Sequence, residues 1–196
     1  MDTLERSEAK VSVDAAVIRG GLLDELARAH GHFDVVCIGP DGKEKWRDTI
    51  ENVTTDVGVR LALDTFLAGA GYTVVGPFIG LISSVGYTTG PAAGDTMGSH
   101  GGWAEAGLAN APQYTAPRKT AVFASASGRS KALSAALSFA ITGAGTAKGC
   151  FLVYGTGAVS TIDNTAGTLY SAGLFTGGDK VLGIGDTLNV SYAASM

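Results

Sequence analysis

The stretch HFDVVCIGPDGKEKWRDTI, residues 32–50, carries the clearest structural signal in the chain. His32 to Ile38 reads as a strand, and Pro40-Asp41-Gly42-Lys43 supplies the residue types that accept a tight turn. Lys45 to Ile50 then returns with period-two alternation, which sets Trp46 on one face. Together they predict an antiparallel hairpin. Just downstream, Thr54 or Thr55 can cap a helix whose first turn carries Asp56, where the dipole favours a carboxylate. Val59, Leu63, Phe66 and Leu67 form its apolar stripe, and Gly69 is placed to stop it.

Further along the chain the pattern becomes β throughout. Val74 to Ile82 is an apolar run containing Pro77, whose missing N–H argues for an edge or a bulge. Strands are expected at Thr120–Ala124, Leu133–Ile141, Lys148–Tyr154, Thr168–Leu174 and Thr187–Tyr192. Alternation is plainest in Ser138-Phe139-Ala140-Ile141-Thr142 and in Leu188-Asn189-Val190-Ser191-Tyr192. Short strands at regular spacing with Gly-rich turns predict a mainly β fold, an antiparallel sandwich or barrel with one or two short helices in its N-terminal half. Segment 83–117 is rich in Gly, Ala and Pro, with Trp103 in its middle; an expected loop of that length points to a functional segment lying on a neighbour.

Upstream of the hairpin, residues 1–10 are polar, and Val17, Ile18, Leu22, Leu26 and Ala29 recur at helical spacing. Gly20 and Gly21 interrupt that pattern, so a short helix from Leu22 to Ala29, ended by Gly31, is the expectation. The division that follows is an arm and short helix over 1–31 and a β-rich domain over 32–196, the latter holding the helix at 55–68 and the loop at 83–117.

Composition narrows the function classes. Of 196 residues 45% are hydrophobic, enough for a buried core, and 16% are charged against a usual share of about a quarter. Residues 1–60 hold 8 of the 14 Lys and Arg and 12 of the 18 Asp and Glu, but only 6 of the 29 glycines. A net charge of −4 gives no electrostatic case for nucleic acid or an anionic membrane. No run of eighteen apolar residues predicts a transmembrane helix, and the polar start has no signal-peptide pattern, so synthesis in a cytoplasm is expected. Cys37 and Cys150 are the only cysteines, and spacing leaves open whether they pair.

No motif carries catalysis. Gly98-Ser99-His100-Gly101 places a Ser beside a His, but the G-x-S-x-G elbow is absent and sequence adjacency does not make side chains face each other. His30-Gly31-His32 lacks a third ligand at metal spacing and reads as a helix-to-strand turn. The stretch from Gly143 to Gly149 lacks the Gly-Lys-Ser/Thr ending of a phosphate loop and leads into a strand, so a hairpin turn is expected there. Asp95, Asp163, Asp179 and Asp186 stand singly at turns. No cofactor and no metal is expected.

Eight elements in order, FDVVCIGPDGKEKW, ENVTTDVGVRLALDTFLAG, FIGLI, DTMGSHGGWAE, TAPRKTAVFASASG, SFAITGAGTAKGCFLV, GTLYSAGLF and GDTLNVSYAAS, resemble a family of tailed-bacteriophage structural proteins encoded beside the major capsid protein. The resemblance spans residues 32–196. It implies a non-enzymatic virion component on the outer capsid surface. That component would be a decoration or cement protein bound to the major capsid protein and to itself as dimers or trimers. Trp103, Tyr87 and Tyr114, with Leu22 and Leu26 of the N-terminal helix, are the candidate interface residues. The alternative is a head-fibre, neck or tail component that binds host-surface glycan through exposed Trp103, Tyr87 and Tyr114.

Overall fold

The computed structural model describes residues 30–67 and 75–195. Among the described residues twelve strands and one helix follow one another: β1 (His30–Ile38), β2 (Glu44–Thr54), α1 (Asp56–Leu67), β3 (Phe78–Ser83), β4 (Ala104–Glu105), β5 (Gln113–Tyr114), β6 (Lys119–Thr120), β7 (Ser130–Ala132), β8 (Leu137–Gly143), β9 (Gly145–Tyr154), β10 (Thr168–Leu174), β11 (Lys180–Leu182) and β12 (Thr187–Ser195). The expected helix from Leu22 to Ala29, with Leu22 and Leu26, lies outside the described residues.

The strands form one antiparallel sheet in the order β4-β3-β9-β10-β2-β1-β12-β8-β5, with β11 on β9, β6 on β3 and β7 on β12. It curls at β2. His32 to Ile38 of β1 pair with the Glu44–Glu51 part of β2, while Asn52 to Thr54 pair instead with Gly173 to Ser171 of β10. One strand therefore belongs to both faces, and the curled sheet closes over a core that includes Phe33, Val35, Ile50, Leu81, Phe139, Leu152, Leu188 and Val190. This is the mainly β sandwich-or-barrel class with a short helix.

The hairpin turn forms at Gly39–Lys43, where the Gly39 amide donates to the Lys43 carbonyl and Gly42 takes a φ of 78°. Thr55 caps α1: the Gly58 amide donates to its hydroxyl at 3.0 Å, and that hydroxyl donates in turn to the Leu169 carbonyl of β10. A Cβ at Gly58 would stand 2.3 Å from the Tyr170 carbonyl oxygen, so α1 rests directly on the β10 backbone. That contact rotates the helix away from the expected stripe. Leu61 is buried, whereas Val59 and Leu63 are 42% and 52% exposed.

Strands β1, β8 and β12 bury alternate residues, as a sheet with one wet face must. Strands β3, β9 and β10 are buried nearly end to end. Their second face carries a separate core of Ile82, Phe151, Val153, Leu169 and Ala172, covered by Met97 and Trp103 of the long segment and by Ala158. Segment 83–117 is thus a third layer packed on its own sheet and not a free loop. It also joins the two open edges, since β5 pairs with β8 while β6, six residues on, pairs with β3.

Gly143 to Gly149 forms no hairpin. Strand β8 pairs with β12 and β5, and β9 pairs with β3, β10 and β11, so the chain switches sheet faces at Ala144. Strand β10 lies close over Gly149 of β9: a Cβ at Gly149 would stand 1.9 Å from the Gly173 carbonyl oxygen. The obstacle is backbone and cannot rotate aside. Gly149→Ala is expected to lower stability by about 1–3 kcal/mol in urea unfolding. Gly98→Ala, with open space around it, should stay within about 0.5 kcal/mol. Equal midpoints for the two variants would contradict this packing.

Candidate functional site

A polar concavity, an open cleft of about 520 Å³, lies in the third layer. Its walls come from the 97–105 turn, Asn110, Arg118 and the 163–165 turn. The floor is an ion pair. Arg118 is 1% exposed and Glu105 5%. The Arg118 Nε and Nη2 donate to Glu105 Oε1 and Oε2 at 2.8 and 2.7 Å, a two-pronged geometry suited to a planar guanidinium. Nη1 and Nη2 also donate to the Val159 and Asn164 carbonyls at 3.1 and 2.7 Å. Glu105 Oε2 also accepts the Asp163 amide at 2.8 Å. The Arg118 guanidinium lies 5.4 Å from the centre of the Phe151 ring.

These bonds define what the cleft can do. Burial pushes the Glu105 carboxyl up from its ordinary value, against the pull of Arg118 and the Asp163 amide. Oε2 accepts two of these bonds and Oε1 one, so most of the carboxylate's acceptor capacity is spent inside the protein. His100 stacks on Trp103 with ring centres 3.9 Å apart, and its Nδ1 lies 2.9 Å from the Trp103 carbonyl oxygen. That carbonyl only accepts, so Nδ1 carries the proton. Among the described residues no hydrogen bond joins Ser99 to His100, and no three His, Cys, Asp or Glu side chains converge as a metal site would require.

His30 and His32 lie at the start of β1, and the His32 ring is 3.5 Å from Asp34. The helix-to-strand turn expected there is strand already. Cys37 and Cys150 are unpaired and buried. Burial and the neighbouring Asp186 carboxylate push the Cys37 thiol up to about 11, and burial alone pushes Cys150 up. Neither is a nucleophile at neutral pH. Among the described residues no helix is long and apolar enough to cross a membrane.

The expected interface aromatics do not form one surface. Trp103 is 4% exposed and its Nε1 donates to Asp95 at 3.0 Å, so it anchors the third layer internally. Tyr114 is 3% exposed, edge-on to Phe139 in the main core. Both assignments as contact residues are corrected: each ring is consumed by the chain's own packing. Tyr87 is half-buried beneath the Lys148 ammonium at 4.0 Å from its ring centre. Glu105, Arg118 and Asp163, which dominate the cleft, carried only a faint signal. Glu105 is the single acidic residue between Asp95 and Asp163, but Arg118 stands beside Lys119 in a stretch that also holds Arg129, Lys131 and Lys148.

A second, apolar groove of about 540 Å³ opens at the end of the sandwich, lined by Ala62 and Thr65 of α1, Lys131 of β7, Tyr154, Tyr170 and Ala194. A smaller hollow, reaching Phe123, Leu152 and Tyr192, shares Lys131, Tyr154, Tyr170 and Ala194 with it. Comparison with family models, with curated proteins and with solved structures finds no match to this chain.

The ion pair yields a sharp expectation. Glu105→Gln leaves a buried guanidinium without its anion and should cost about 3–5 kcal/mol in chemical unfolding. The double variant Glu105→Leu with Arg118→Met should recover most of that loss, because it removes both desolvation terms. A double variant no more stable than the single would show that the pair does not organise the layer.

Proposed function

We propose that this chain is a structural protein of a tailed-bacteriophage virion, a decoration protein that binds the major capsid protein of the mature head. Two lines support the reading. The order of eight sequence elements over residues 32–196 resembles such a family. The geometry favours a binding body over a catalyst, because the buried charges Glu105, Arg118 and Asp186 are all held in internal pairs.

The observation that carries the reading is the outer stripe of α1. Val59 and Leu63, one turn apart, stay exposed on the same helix face. An apolar helix stripe facing water on a body with two filled cores is a contact surface for another chain. Covering each of these half-exposed side chains contributes roughly 1 kcal/mol. That is small for one subunit, and it becomes substantial when dimers or trimers engage a symmetric lattice. A decoration protein bound across two coat subunits favours the shell state that brings them into register, and stabilises it by mass action.

Purified protein added to mature heads lacking it should co-sediment with them, saturate at a fixed number per head and raise the temperature at which the heads release DNA. Leu63→Asp should weaken that binding by roughly tenfold or more while leaving the far-UV spectrum of the free protein unchanged. Binding to tails instead of heads would overturn the decoration assignment. Binding to neither would overturn the virion reading.

A further inference from the structure

We propose that the apolar groove at the end of the sandwich is the seat of this chain's own N-terminal segment, with Leu22 and Leu26 as its anchors. The inference stands whether or not the protein is a virion component.

The groove is a built concavity. Ala62 and Thr65 of α1 form one wall, Ser130 and Lys131 of β7 with Ala194 and Ser195 of β12 form the other, and the rings of Tyr154 and Tyr170 form the floor. It continues into the hollow over Leu152 and Tyr192, so an occupant would extend the main core rather than touch a remote surface.

Chain geometry selects the occupant. His30, the first described residue, is the Cα partner of Ser195, and Ser195 lines the groove. The described chain therefore begins at the groove's rim. Leu26 is separated from His30 by at most about 14 Å of extended chain. A tethered segment at that distance has an effective concentration in the millimolar range, so weak apolar contacts suffice to seat it. The segment also has the right pattern. Leu22, Leu26 and Ala29 recur at helical spacing, and eight residues of helix span about 12 Å.

Charge agrees with apolarity. Lys131 places a cation on one rim of the groove. Asp24 and Glu25 place two carboxylates between the two leucines. A segment seated by its leucines carries those carboxylates to the basic rim, a modest gain at an exposed site that favours one direction of docking.

The test uses the full chain with Leu26→Cys and Ala62→Cys together. The native thiols do not interfere, since Cys37 and Cys150 are buried. Under mild oxidation the proposal expects a disulfide within one chain, identified by mass spectrometry of the linked peptides. A disulfide formed only between chains, in the double variant or on mixing the two single variants, would assign the groove to a second copy and overturn the proposal. No disulfide at all would overturn it as well. A second variant guards against an unfavourable thiol geometry. Leu26→Asp in the full chain should lower the hydrogen-exchange protection of Lys131, Ala194 and Ser195 by roughly tenfold, about 1.4 kcal/mol. The Phe33 and Val190 amides should be unaffected. Unchanged protection at the groove would count against the proposal even where the disulfide forms.

Discussion

A guanidinium and a carboxylate sealed beneath a third layer set the terms for the rest of the molecule. Taking Arg118 and Glu105 out of water costs several kcal/mol per ion, and their attraction offsets this only with good geometry and further hydrogen bonds. Here Nε, Nη1 and Nη2 of Arg118 each donate to at least one oxygen. The pair holds β4 against the segment that leads into β6, and Arg118 reaches the Val159 and Asn164 carbonyls of a turn whose Ala158 and Ile162 are buried in the two cores. Such a pair adds little net stability compared with well-packed hydrophobic residues. Its effect is to exclude alternatives, because any other path for segment 84–118 strands a buried charge.

That layer explains which parts of the structure could be read from the sequence. Strands β1, β8 and β12 have one dry face and one wet face, so Phe33, Val35 and Cys37, or Leu188, Val190 and Tyr192, announce themselves by alternation. The hairpin and the Thr55 cap are equally local, and their positions follow from single residues. Strands β3, β9 and β10 are dry on both sides, so runs such as Cys150-Phe151-Leu152-Val153 mark a buried strand without saying what lies above it. The two-residue strands β4, β5 and β6 leave no periodic trace, since two residues cannot establish a period. Their place is fixed by pairing partners far away in the chain.

The departures have the same origin. Val59 and Leu63 look like a core-facing stripe, yet Gly58 brings the helix backbone so close to Tyr170 that a different face turns inward. Trp103 looks like an exposed anchor in a loop because the second core that receives it is invisible in sequence. The Gly143–Gly149 stretch has hairpin residues but joins opposite faces of a curled sheet, a decision made by β12 and β3 rather than by the turn. The cleft was the least legible feature. Glu105 and Arg118 are thirteen residues apart, and nothing in their spacing foretells a bidentate bond.

The resulting body spends its chemistry internally: carboxylates on lysines and arginines, aromatic rings on each other, thiols in the core. The apolar surface it leaves uncovered includes Val59 and Leu63 on the outer face of α1. The central claim is that segment 84–118 is a cooperative part of the fold, closed by the ion pair, and not a surface loop. Amide hydrogen exchange resolved along the chain tests it most directly. The Ala106 amide, bonded to the Leu81 carbonyl, and the Arg118 amide, bonded to the Ser160 carbonyl, should exchange as slowly as those of β9, through global unfolding. Exchange of these two amides at the rate of exposed turns, with β9 still protected, would contradict the account.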